Sequence, residues 1–240
     1  MSWFLHWFDS PYYHTLYKNR DEKEAEFFIE NLAGYLSLKK RSKLLDIACG
    51  KGRHAIYFNK KGMDVVGIDL SSNSISYAKE HENSTLQFSA HDMREIYKRN
   101  YFDVVTNLFT SFGYFDDKTD EQEAINAMAK NLKSEGILII DFMNVKKVIS
   151  NLLLSEQKTI DGITFKINRR AEGDNIIKDI AITDGIEKQQ FQEKVKAITL
   201  ADYSEFITNS GLKIIDIFGN YQLEGFDART SDRLILICKK

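Results

Sequence analysis

A single proline, Pro11, and two cysteines, Cys49 and Cys238, stand in the 240 residues. One proline near the N-terminus leaves no proline-rich linker between domains, and no repeat or low-complexity tract interrupts the chain. Two cysteines without metal-ligand spacing exclude a disulfide framework and give no metal site, so a reduced, cytoplasmic protein is expected. Cys49 reads as a small space-filler rather than a nucleophile. Net charge is scarce as well: 33 basic against 35 acidic residues leave a formal −2, which removes any general attraction to nucleic acid or to an anionic membrane. No nucleic-acid partner is expected, although a local basic patch stays open. Long apolar runs are missing too. The opening MSWFLHWFDS is apolar but short, lacks a basic lead and a small-residue cleavage site, and meets Asp9 and Pro11 early, so it reads as neither signal peptide nor membrane span. The length suffices to bury a core without staples, and residues 1–240 are read as one domain.

The stretch KLLDIACGKGRH, residues 43–54, organises the rest. Leu44, Leu45 and Ile47 suit a buried strand, and Ala48, Gly50 and Gly52 then open a tight turn into a helix. Small residues let a ligand approach the backbone, the N–H groups at the helix start add donors, and Asp46 adds a negative charge just before the turn. Beyond it, strands are expected at LLDIACG, DVVGIDL, TLQFSAHDM, FDVVTNLF and ILIIDFMN. Helices are expected at RHAIYFNKKG, at SSNSISYAKEH with Ser71 or Ser72 as N-cap, and at DEQEAINAMAKNLKSEG closed by Gly136. This alternation indicates an α/β fold with a parallel sheet covered on both faces, whose ligands bind beyond the carboxyl ends of the strands. Those ends carry Asp46, Asp69, Asp92, Asn107 and Asp141.

Two additions flank this pattern. Residues 1–37 form an aromatic arm, with Trp7, Phe8, Tyr12, Tyr13 and Tyr17 among its rings, followed by an amphipathic helix. The rings either cover an edge of the core or make a flap over a ligand. Residues 157–200 switch to alternating runs, ITFKINRR, IIKDIAITD and FQEKVKAITL, read as an inserted antiparallel β-ribbon serving as a lid or as a homodimer contact. ADYSEFITNSG then resumes a helix, and LKIIDIFGN and RLILICKK are the last strands.

The turn at Gly50 also satisfies G-x-G-x-x-A, with Asp69 nineteen residues beyond, so a nicotinamide-dependent oxidoreductase is a competitor. Asp46 argues against it, since a carboxylate at the mouth of the turn repels a pyrophosphate and attracts an ammonium or sulfonium cation. Asp69 fits a ribose diol in either case, and Asp92 adds an acceptor suited to an adenine amino group. DIACGKGRH, VVGIDLS, AHDM, FDVVTNLF and LKSEGILIIDF, in that order across residues 40–145, resemble the successive motifs of the class I S-adenosylmethionine-dependent methyltransferases. The resemblance implies a Rossmann-like, doubly wound sheet of seven strands with the last antiparallel, and S-adenosylmethionine as cofactor. It places Gly50 and Gly52 against the methionine part and Asp46 near its amino group. Asp69 and the adjoining Leu70 then fall at the ribose, Asp92 with Met93 around the adenine, and Asn107 and Leu108 beside the cofactor. Ala48 departs from the family's usual first glycine. The arm resembles the segment that many small-molecule members fold over the cofactor, which adds Tyr13 and Tyr17.

Methyl transfer to a small-molecule acceptor needs alignment and exclusion of water, and a base only where the acceptor must lose a proton. His91 and Tyr114 are the candidates for catalysis, with His54 and Asp141 also within the pattern. TSFGYFDD, after the fourth strand, lies where an acceptor would sit. A protein that binds the cofactor without turnover remains an alternative, its ribbon serving as a partner surface.

Overall fold

The computed structural model describes residues 3–18 and 22–240. The chain enters through α1 (Trp3–Phe8), α2 (Pro11–Leu16) and α3 (Glu22–Tyr35). The Ser10 side chain accepts from the Tyr12 N–H, and Pro11 takes the first position of α2, where a missing N–H costs nothing. In α3, the spacing of Ala25, Phe28, Ile29 and Leu32 turns one apolar stripe to the core. There follow β1 (Lys43–Ile47), α4 (Arg53–Lys60), β2 (Asp64–Asp69), α5 (Ser72–Lys79), β3 (Leu86–Ala90), β4 (Phe102–Asn107), α6 (Lys118–Asn131), β5 (Leu132–Met143) and α7 (Val145–Ser150). Four ribbon strands, β6 (Ser155–Ile160), β7 (Ile163–Glu172), β8 (Asn175–Asp184) and β9 (Glu187–Lys196), precede α8 (Leu200–Asn209), β10 (Lys213–Phe218) and β11 (Arg233–Lys239). Among the described residues no helix is long and apolar enough to cross a membrane.

Seven strands form one sheet in the order β10-β11-β5-β4-β1-β2-β3, all parallel except β11, which runs antiparallel to both neighbours. The expected architecture is present. From β1 the sheet grows through β2 to β3 on one side, and through β4 to β5 on the other. That reversal leaves a crevice at the carboxyl ends of β1 and β4. Apolar residues on the two faces form separate clusters, one including Phe28, Phe58 and Ile75, the other including Met128, Tyr203 and Phe206.

Two boundaries differ from the sequence reading. The helix before β5 ends at Asn131, not Gly136, because the buried Asn131 side chain turns back to donate to the Ala127 carbonyl and accepts the Lys98 N–H. Leu132 already pairs with Phe102, and Gly136 is needed for close packing instead: a Cβ there would lie 2.9 Å from Leu132. The ribbon has four strands over residues 155–196, since SEQKTI, too polar to signal a strand by itself, pairs along β7. Its apolar face, with Phe165, Ile167, Ile180 and Ile182, packs against Trp7 and Leu16 of the arm as a third cluster.

Asp141, near the end of β5, is 1% exposed and accepts from Arg233 Nε at 2.7 Å, the Phe109 N–H at 2.8 Å and the Tyr221 hydroxyl at 3.1 Å on its carboxylate, and from the Thr110 N–H at 2.9 Å and Arg233 Nη2 at 3.5 Å on its carbonyl. Its oxygens are therefore committed to structure rather than to proton abstraction. Replacing Arg233 with Met would strand this buried carboxylate, and urea unfolding is expected to show a loss of about 3–5 kcal/mol. A loss below about 1 kcal/mol would mean that the pair contributes little.

Candidate active site

A cavity of about 450 Å³ opens at the carboxyl ends of β1, β2 and β4, beneath the arm. Its floor is the turn after β1, where Ala48, Gly50 and Gly52 all take left-handed backbone angles, φ 57°, 55° and 86°. No atom lies within 4 Å of where a Gly50 Cβ would sit, so the backbone there is open to a ligand. Gly52 serves packing instead: a Cβ would meet the Phe88 ring at 2.7 Å. Asp69 is oriented by two backbone donors, Gly50 N–H to Oδ2 and Ser71 N–H to Oδ1, each at 2.8 Å. Burial pushes its carboxyl upward, and these amides oppose the shift.

Tyr13, Tyr17, Ala48, Gly50, Asp69, Leu70, His91, Asp92, Met93, Leu108 and Tyr114 all line the cavity. Asp46, Gly52 and Asn107 do not; they stand behind the wall. Asn107 is fully buried and donates through Nδ2 to the Ile47 and Ser111 carbonyls, tying β4 to β1 and to the loop that follows. Asp46, 1% exposed, accepts from the Thr106 hydroxyl at 2.8 Å through Oδ1, while Oδ2 has no hydrogen-bond partner among the described residues. Burial raises its pKa to about 7, with Thr106 opposing.

The polar groups on the wall are partly committed. Burial works against ionisation of Asp92, yet the Arg94 guanidinium, 2.6 Å from Oδ2, holds its carboxyl below the usual range. His91 Nε2 lies 3.2 Å from the Glu95 carbonyl, and Tyr114 donates its hydroxyl to the Thr110 carbonyl at 2.7 Å. His54 is pushed down to about 3 by burial and so stays uncharged. Sequence reasoning passed over His14, Lys51 and Phe109, which also line the cavity. His14 directly follows Tyr13 on α2, a neighbour that could have flagged it; burial and Lys51 lower its pKa. Phe109 and Thr110 both have positive φ, 64° and 60°, a conformation no residue-type signal announces.

Residues 38–197 match the family model described as methyltransferase domain. The chain belongs to the class I S-adenosylmethionine-dependent methyltransferases. The putative methyltransferase YqeM of Bacillus subtilis (strain 168) is 28% identical over 74% of this chain and 76% of its own length. A Streptomyces venezuelae relative, dTDP-3-amino-3,4,6-trideoxy-alpha-D-glucopyranose N,N-dimethyltransferase, is 24% identical over 72% and 76%. A solved S-adenosylmethionine-dependent methyltransferase from Clostridium acetobutylicum ATCC 824 superposes with a TM-score of 0.80 at 21% identity, covering 95% of each chain, and shares the fold.

The methyltransferase cavity fits its cofactor on two observations: the backbone is open at Gly50, and a buried carboxylate oxygen of Asp46 lacks a donor behind that turn. Asp46 titrates near 3.8 ordinarily and near 7 in the folded chain. The folded state therefore holds this proton more tightly, and the group's contribution to stability falls as pH rises through that window. Asp46→Asn cannot ionise. Urea midpoints of the cofactor-free protein should show wild type losing stability relative to Asp46→Asn between about pH 5 and pH 7; parallel midpoints would place the Asp46 pKa near its ordinary value.

Proposed function

We propose that this methyltransferase acts on a small molecule carrying an amine, by in-line displacement governed mainly by positioning and exclusion of water. One observation carries the reading: a single cavity is lined both by a backbone turn with Asp69 and by the rings of Phe8, Tyr13, Phe112, Tyr114 and Phe115. When bound, S-adenosylmethionine supplies a methyl group already activated by its sulfonium. Gly50 and Ala48 would receive the amino-acid part, Asp69 with Leu70 the ribose, and Asp92 with Met93 the adenine. Asp46, Gly52 and Asn107 would act from behind, by field and by holding the turn.

Among these rings, Phe8 meets Tyr13 and Tyr114 edge-on, with centroids 5.0 and 5.1 Å away. Such walls exclude water and hold a ring or sugar body by dispersion, so alignment supplies most of the acceleration, about 7–11 kcal/mol at best. A neutral amine attacks without a strong base, which suits a wall whose Tyr114 hydroxyl and Asp92 carboxylate are already engaged. The remaining nitrogen of His91 can take the proton released, and Tyr114 steers the acceptor. The amino-sugar N,N-dimethyltransferase relative supports nitrogen as the methylated atom.

Equilibrium titration should give binding of S-adenosylmethionine and none of NAD; the reverse result would sink this reading. Asp69→Ala should weaken cofactor binding by about 1–3 kcal/mol, as stranded partners of a charged hydrogen bond do, and an unchanged affinity would remove Asp69 from the ribose role. Among matched amine, alcohol and thiol acceptors on one ring scaffold, only the amine should be methylated; preferential methylation of the alcohol or thiol would overturn the nitrogen assignment.

A further inference from the structure

On the ribbon, Glu193 of β9 stands directly across from Lys178 of β8. Its residue is 8% exposed, and its carboxylate is filled from three directions. The Trp7 indole Nε1 and the Tyr17 hydroxyl both donate to Oε1 at 2.7 Å, and Lys178 Nζ donates to Oε2 at 2.5 Å. Lys178 also donates to the Tyr17 oxygen, so the phenol is gripped on both sides. Trp7 is fully buried and packs on Phe191 of the same strand, 4.7 Å between centroids. Besides the apolar cluster, two polar links between arm and ribbon, Tyr12 with Asp184 and Lys18 with Asp161, are exposed and hold little free energy. On its far side the arm is tied by Asp9, which accepts from Ser71 and Asn73 at 2.6 Å each. The arm thus spans the cavity between α5 and the ribbon, and among the described residues Glu193 is the buried charge in its ribbon anchorage.

We propose that Glu193 is a positioning residue for methyl transfer: it fixes the arm over the cavity through Trp7 and Tyr17, and so sets Tyr13 and Tyr17 on the wall. Its own side chain does not line the cavity. The ribbon then serves as the anchor of closure, because its cross-strand Lys178–Glu193 pair presents a carboxylate already oriented toward the arm. This proposal rests on the cavity being the seat of transfer.

The chain has two tryptophans, so Trp3→Phe leaves Trp7 as the single indole, inside the clasp. In that background, Glu193→Gln should increase acrylamide quenching of Trp7 in the cofactor-free protein. The dissociation constant for S-adenosylmethionine by equilibrium dialysis should rise about tenfold, as expected when the closed arm becomes a minor population. The KM for acceptor should rise with it while kcat changes less than about threefold. Glu193→Asp should recover part of the loss, and Tyr17→Phe, which removes both bonds of the phenol in the clasp, should shift the same quantities in the same direction. Unchanged quenching and unchanged affinity would overturn the proposal, whether or not the unfolding midpoint falls. A fall in kcat alone would overturn it too, by placing Glu193 at the chemistry. Should wild type fail to bind S-adenosylmethionine, the functional reading itself fails, an outcome distinct from wild type and variants binding alike.

Discussion

The hydrogen bond from the Gly50 N–H to Asp69 ties the turn after β1 to the end of β2, and the cavity is shaped by that tie. It can form because the strands are parallel and in register, with Ile47 beside Ile68. Phe88 of β3 supports it from below. Its ring occupies the space where a Cβ of either Gly52 or Gly67 would fall, so both glycines let β3 and the turn close on one another. A methyl group at either position would push the ring, and with it the floor of the site.

The loop after β4 rests on a different constraint. Phe109 and Thr110 hold consecutive left-handed angles that cost non-glycine residues free energy, and they keep them because Asp141 takes both backbone N–H groups while Arg233 bonds the Thr110 hydroxyl at 3.0 Å. Arg233 begins β11, the antiparallel strand. The last strand of the sheet therefore acts on the cavity through one buried ion pair, well away in sequence from the loop it restrains.

Charge inside the site is managed by pairing and by neutralisation. Asp92 is paired with Arg94, His54 is kept neutral by burial, and Asp46 is poised near neutrality behind the floor. Asp69 is held by amides alone, which leaves it the least compensated carboxylate on the wall. Lys18, Lys51 and Arg53 line the same cavity, so cations stand beside these carboxylates.

Most of the fold was legible in the chain because strand and helix periodicity are local. The runs at residues 43–47, 64–69 and 102–107, the small residues of the turn and the acids at the strand ends are visible without coordinates. The same locality offered Ser71 or Ser72 as the cap of α5, of which the structure uses Ser71, and the order of motifs pointed to the family. Depth in the site was not legible: Asp46, Gly52 and Asn107 share their strands and turn with wall residues, and only packing decides which side chain reaches the cavity. Neither was the fourth ribbon strand, whose polar sequence is a strand only because β7 lies beside it. Glu193 reads in the sequence as one more exposed charge on a polar strand. Its burial, and the arm it holds, come from residues up to 186 positions away, a separation that no local pattern can report.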